Sequence, residues 1–272
     1  MASRLVLALD ETDSVRARRI AEEVAPFVAA IKINYPLVLS SGLEIVTDIS
    51  KSVKVICDFK VADIPNTNRL IAESVFEAGA QGIIAHAFPG LESLKAIREV
   101  DSSRDLFVVV TMSHPRGGDF FDVEAFCTLA LEAGATGVIA PATRPEDISR
   151  IRDLVGNLKI MSPGVGAQDG NSRKALRAGA DFIIVGRGIY LSDDPAQAAE
   201  RYSHDLDIDD CAECLFQVFW TKEGPTGPEP RGKNRRNSHS GRKQWEWKNN
   251  IVALSEYPVQ SRQLRFSRDR WL

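Results

Sequence analysis

The sequence has no run approaching the ~18 consecutive apolar residues of a membrane-spanning helix, so no membrane partner is expected. Cysteine is scarce: Cys57, Cys127, Cys211 and Cys214 are too few and too scattered for a disulfide framework. Cys211-x-x-Cys214 is half a zinc site with no second pair in the chain, and no other cluster has metal-ligand spacing, so no metal is expected. The opening Met1-Ala2-Ser3-Arg4 runs straight into a strand-like segment without a signal-peptide pattern, which points to a reducing cytoplasm. Tryptophan is missing from most of the chain, since Trp220, Trp245, Trp247 and Trp271 all lie near or beyond its last fifth.

The net charge of −3 hides an uneven distribution. Residues 222–272 carry twelve Lys/Arg against five Asp/Glu, or +7, which leaves −10 on residues 1–221. That basic stretch is broken by Pro225, Pro228 and Pro230 and shows no sustained period, so it is expected to be a disordered tail. Residues 205–221 are expected to form an irregular end to the folded part. The tail's tryptophans could stack on single-stranded nucleic acid, but a nonfunctional extension is the stronger reading, and a nucleic-acid partner is not expected.

From residue 4 to about 204 the chain alternates short apolar runs with helical patterns. The runs begin at Leu5, Ala30, Val53, Gly82, Leu106, Gly137, Lys159 and Phe182, and each is followed by a helical segment. They are apolar throughout rather than alternating, as expected of parallel strands buried on both faces. Eight strand–helix units predict an α/β fold, a (β/α)8 TIM barrel over residues 1–204. The triplet Ala-Gly-Ala recurs at 78–80, 133–135 and 178–180, each time just before a strand. A doubly wound open sheet is the alternative, but it does not need the eighth unit.

The stretch around which this chain is organised runs from Val55 to Asn68. An apolar run ends in Asp58, with Lys60 and Asp63 following before Pro65 opens a helix. Period-2 geometry places Asp58 and Lys60 on one side of a strand end, and two carboxylates flanking one ammonium is a costly arrangement there. Strand C-termini are where barrels hold their catalytic groups. Asp10, Lys32, Asp58, Lys60, His86, Ser113, His114, Thr143, Gln168 and Arg187 should therefore ring one face, with His86 read as a hydrogen-bonded packing histidine and Thr143 and Arg144 as a helix cap. Pro163-Gly164-Val165-Gly166-Ala167-Gln168 and Gly186-Arg187-Gly188 follow strands 7 and 8, the usual phosphate-binding place in such barrels.

These motifs carry a resemblance. Asp58-Phe59-Lys60-Val61-Ala62-Asp63-Ile64-Pro65-Asn66-Thr67-Asn68, Lys32-Ile33-Asn34-Tyr35-Pro36, Met112-Ser113-His114-Pro115, Ser162 to Gln168 and Val185 to Tyr190 are similar to those of the orotidine 5′-phosphate decarboxylase family, in its short archaeal form. The similarity covers residues 4 to about 202. The resemblance implies cofactor-free decarboxylation of orotidine 5′-phosphate to UMP in pyrimidine biosynthesis. It implies that Lys60 stabilises and protonates C6, with Asp58 beside the departing carboxylate and Lys32 and Asp63 completing a charged catalytic set. Asp10 and Lys32 would bind the ribose, Ser113 the pyrimidine edge, and Gln168, Gly186 and Arg187 the phosphate, while Pro163 and Val165 lie on a loop that closes over the ligand. Asp63, Ile64 and Thr67 would reach the neighbouring site of a homodimer.

Two other readings stand beside this one. Mg²⁺-dependent sugar-phosphate decarboxylases and synthases share D-x-K-x-x-D but typically carry a carboxylate where this chain has Lys32. A nucleotide- or nucleic-acid-binding protein acting through the basic tail would have no need of the intact Asp10, Lys32, Asp58, Lys60 and Asp63 set.

Overall fold

The computed structural model describes residues 3–166 and 170–220, with side chains up to 207. Eight parallel strands close into a barrel in sequence order: β1 (Leu5–Leu9), β2 (Ala30–Asn34), β3 (Val55–Val61), β4 (Gly82–His86), β5 (Asp105–Val109), β6 (Gly137–Ile139), β7 (Lys159–Ser162) and β8 (Phe182–Val185). The ring shuts where β1 pairs with β8 through Leu5↔Ile183, Val6↔Ile184 and Leu7↔Val185.

The unbroken apolar runs have a simple cause: the barrel has two apolar layers. Leu5, Leu7, Leu9, Ile31, Ile33, Val55 and Cys57 face the helices and belong to the large outer core. Val6, Ala8, Ala30, Ile56, Ile84, Val109, Ile139, Met161 and Ile184 point inward and form a plug inside the barrel. Alternate residues thus bury opposite faces of one strand, and neither face is free to be polar. Polarity enters where each inward column leaves the plug. Val6 and Ala8 lead to Asp10, Ala30 to Lys32 and Asn34, and Ile56 to Asp58 and Lys60.

The outer layer is α1 (Ser14–Val24), α2 (Tyr35–Ser41), α3 (Glu44–Ser50), α4 (Pro65–Glu77), α5 (Leu91–Arg98), α6 (Val123–Glu132), α7 (Pro145–Val155), α8 (Ser172–Arg177), α9 (Arg187–Tyr190) and α10 (Pro195–Trp220). Asp13 caps α1 by accepting from the Val15 and Arg16 amides at 2.8 and 3.1 Å. Prolines at the first positions of α4, α7 and α10 start helices without losing a needed donor.

Four features depart from expectation. Where one helical segment is expected between β2 and β3 there are two helices, α2 and α3, separated by Gly42, at φ +75°, and Leu43. Strand β3 does not stop where the apolar run ends in Asp58 but continues to Val61. The turn at Gly186-Arg187-Gly188 is a short helix, α9. The end at 205–221 is not irregular: α10 continues to Trp220, because no glycine or proline interrupts residues 196–220. The basic segment 222–272 and the side chains of Cys211 and Cys214 lie outside the described residues.

Candidate active site

The inward columns open into a cavity of about 350 Å³ at the C-terminal ends of the strands. Asp10, Lys32, Asp58, Lys60, Ser113, His114, Pro163, Val165, Gly186 and Arg187 all line it, so ten positions read from the sequence meet at one place. Gly164 of the glycine-rich loop joins them, with Asn34, Thr111 and Met112, which the sequence did not single out as site residues. Parity could have found Asn34, two residues beyond Lys32 on an inward column.

The charged centre differs in arrangement from the one expected. One carboxylate lies between two ammoniums: Lys32 Nζ donates to Asp58 Oδ2 at 2.6 Å, and Lys60 Nζ donates to Asp58 Oδ1 at 2.8 Å. Lys32 and Asp58 are buried, whereas the Lys60 side chain keeps 34% of its surface open to the cavity. Burial alone would raise the Asp58 pKa, but the two lysines outweigh it and hold the carboxyl below its ordinary value. Asp58 therefore stays ionised. The same charge, added to burial, pushes the neighbouring Cys57 thiol up to about 12, so Cys57 is inert packing.

Lys60 reaches Asp58 through an irregularity in β3. The β3–β4 register runs Ile56↔Gly82 and Cys57↔Ile83, then resumes at Val61↔Ala85, so β3 spends four steps where β4 spends two. Within this bulge Lys60 adopts φ +44°, a left-handed conformation that a residue with a Cβ rarely takes. Strain of this kind persists only where surrounding structure enforces it, and it collects at functional sites. The bulge turns Lys60 over the cavity beside Asp58.

Asp63 does not join this centre in its own chain. It is exposed and does not line the cavity, and its carboxylate accepts from the Ile64 amide at 2.7 Å. Ile64, 63% exposed, and Thr67 also lie outside the cavity. Gln168 falls outside the described residues.

His86 does not line the cavity and is not hydrogen-bonded at Nδ1, which is buried without a partner. Its ring lies between Phe88 and Phe121, at centroid distances of 5.1 and 6.0 Å. Burial, and then the charge of Lys60, hold its pKa below the ordinary histidine value. Thr143 and Arg144 do more than precede α7. Arg144 donates to Thr111 Oγ1 at 3.1 Å and to the Met112 carbonyl at 2.7 Å, and Thr143 donates to the Ser113 carbonyl at 3.3 Å. Together they hold the loop after β5, which carries Ser113, against the β6 loop.

The loop after β7 folds back on itself: Val165 bridges Gly170, and the Gly170 amide donates to the Gly164 carbonyl at 3.0 Å. A Cβ at Gly170 would come within 2.5 Å of that carbonyl oxygen, so only glycine fits. Across the mouth, Arg187 stands at the end of β8, and its cation adds to those of Lys32 and Lys60. With Asp10 and Asp58 also on the lining, the cavity offers cations to an anion and carboxylates to hydroxyls. Among the described residues no group of three or more His, Cys, Asp or Glu side chains could hold a metal ion. Among them, too, no helix is long and apolar enough to cross a membrane.

The family model "Orotidine 5′-phosphate decarboxylase / HUMPS family" matches residues 3–202. The orotidine 5′-phosphate decarboxylase of Methanococcoides burtonii is 53% identical over 209 residues, covering 75% of this chain and 97% of the relative. That of Thermococcus kodakarensis is 49% identical over 209 residues, covering 75% and 97%. Among solved structures, the orotidine 5′-monophosphate decarboxylase of Methanocaldococcus jannaschii complexed with the inhibitor BMP is 40% identical, with TM-score 0.72 over 76% of this chain and 99% of that one.

Proposed function

The chain belongs to the orotidine 5′-phosphate decarboxylase / HUMPS family, and from that premise we propose that it converts orotidine 5′-phosphate to UMP in pyrimidine biosynthesis without a cofactor. The observation that carries this reading is the Lys32–Asp58–Lys60 chain, with spacings of 2.6 and 2.8 Å, standing at the mouth of the cavity. In the reaction the C6–carboxylate bond breaks, its electron pair stays on C6, and CO₂ leaves. The resulting carbanion has no conjugated sink, so fixed positive charge must meet it. Lys60 is the partly open ammonium, and it would stabilise the pair on C6 and then pass an Nζ proton to it. Asp58 holds Lys60 in place and sets a negative charge beside the departing carboxylate. Lys32 keeps Asp58 ionised and takes part in ribose binding with Asp10.

Ser113 would meet the pyrimidine edge, held in place by the grip of Thr143 and Arg144 on the loop after β5. Gly186, Arg187 and Gln168 would bind the phosphate, with Pro163 and Val165 on the loop closing over it. Binding energy from that remote phosphate would then serve to close the loop and order the charged centre.

The reading includes a cytoplasmic homodimer in which Asp63, Ile64 and Thr67 enter the partner's site. Support comes from their position: none reaches its own cavity, and Ile64 and Leu70 leave apolar surface exposed beside them. Mixing Asp63→Ala protein with Lys60→Ala protein should regenerate activity by assembling some sites that carry neither defect. No recovery despite verified subunit exchange would refute the shared site.

The primary test is to add purified protein to orotidine 5′-phosphate and follow loss of the orotate absorbance. The wild type should turn over. Lys60→Ala should lose at least about three orders of magnitude of kcat while still binding UMP. Activity should survive excess EDTA, because both Asp58 oxygens are already occupied by ammonium groups. Activity lost to chelator and restored by Mg²⁺ would instead assign the chain to the sugar-phosphate branch of its family.

A further inference from the structure

Asp63 sits on an exposed loop, yet both its backbone polar groups are held by buried side chains. Its amide donates to Asn68 Oδ1 at 3.0 Å, and its carbonyl accepts from Ser93 Oγ at 2.8 Å. The two holders are joined, since Asn68 Nδ2 donates to the Ser93 carbonyl at 3.2 Å. Asn68 is wholly buried on α4, and Ser93 keeps only 2% of its surface on α5. Two hydrogen bonds thus bind one loop residue to two helices at once, and a third ties those helices together.

A buried amide and hydroxyl are unfavourable unless satisfied, and once satisfied they enforce one geometry. A loop needing only attachment could be anchored by an apolar side chain, without burying polar groups. Here the fixed point is the backbone of a single acidic residue whose carboxylate stays exposed. Its own cavity makes no use of that carboxylate. We infer that Asn68 and Ser93 are positioning residues, a pedestal that sets the direction in which Asp63 projects into the partner subunit's active site. The inference rests on the shared-site dimer described above. It assigns to α4 and α5, neither of which lines the cavity of its own chain, a part in the neighbour's chemistry.

The test compares Ser93→Ala, which removes only the bond to the Asp63 carbonyl, with Asn68→Ala, which releases the Asp63 amide and the Ser93 carbonyl. A loosened Asp63 should lower kcat by about tenfold or more, because small misplacement of a reacting-site charge is costly. UMP affinity should stay within about twofold, since its phosphate is gripped elsewhere. In an Asp63→Ala background, neither substitution should lower kcat further. A purely structural role would act equally in both backgrounds, so an equal loss there overturns the inference. Unchanged kcat in both single variants overturns it as well, provided that Asp63→Ala is impaired. Should Asn68→Ala fail to fold, the milder Ser93→Ala decides the matter. A wild-type-like Asp63→Ala would overturn the shared-site reading itself, and the pedestal with it. A wild type inactive on orotidine 5′-phosphate would refute the proposed reaction, a separate outcome.

Discussion

Position 60 should prefer glycine to alanine, the reverse of the usual order. Lys60 has φ +44°, where a Cβ costs roughly 1–2 kcal/mol. At ordinary positions glycine is the worse residue by about 0.5–1 kcal/mol, because the unfolded chain gains freedom. Lys60→Gly and Lys60→Ala lose the same ion pair with Asp58, so that loss cancels between them. What remains is strain relief less chain entropy, which leaves Lys60→Gly ahead by about 0.5–1 kcal/mol. For a folded unit of this size, that difference moves the melting temperature by roughly 2 °C. Urea unfolding of the two variants in parallel, with equal m-values, gives the quantity directly. Both variants should lack decarboxylation and keep UMP binding, so that the position trades stability for a placed ammonium. If Lys60→Ala proves as stable as Lys60→Gly or more so, the bulge is not strained and the argument that function maintains it fails.

His86 carries a pKa below its ordinary value, so the unfolded chain takes up its proton first as pH falls. The stability it allows is complete above about pH 6.5 and declines as pH drops from there towards the lowered folded pKa. Urea titrations at stepped pH should show this slope, and it should vanish in His86→Gln; a slope that survives would assign the loss to other groups. Gly137→Ala should destabilise the barrel by at least about 2 kcal/mol, since the new Cβ would collide with the Lys159 carbonyl oxygen and lie 2.8 Å from the Phe107 ring. A melting temperature equal to wild type would refute that packing. Removal of residues 222–272 should leave kcat/KM within a few-fold, because the family match ends at residue 202. A loss beyond about tenfold would give that segment a part in the reaction.

The barrel was legible because burial on both faces leaves a mark on composition: residues such as Leu5, Val6 and Leu7 must all be apolar whichever way they point. The site was legible for a related reason. Asp10, Lys32 and Asp58 stand where inward columns pass from plug to solvent, and charge there has no structural need. Family motifs then attached chemistry to those positions. Short helices escaped notice, since α2 and α9 span too few turns to show a period.

Tertiary structure alone decided the rest. Sequence spacing put Lys60 between two carboxylates, but in the fold Asp58 lies between two ammoniums, with Lys60 turned to it in the β3 bulge. No local pattern encodes that bulge, because it arises from the mismatch of β3 against β4. The hold of Arg144 on Thr111 and of Ser93 on Asp63 likewise joins residues 33 and 30 apart in the chain. Local sequence determines what each segment buries, whereas the direction of a charge at the barrel mouth depends on how neighbouring segments close around it.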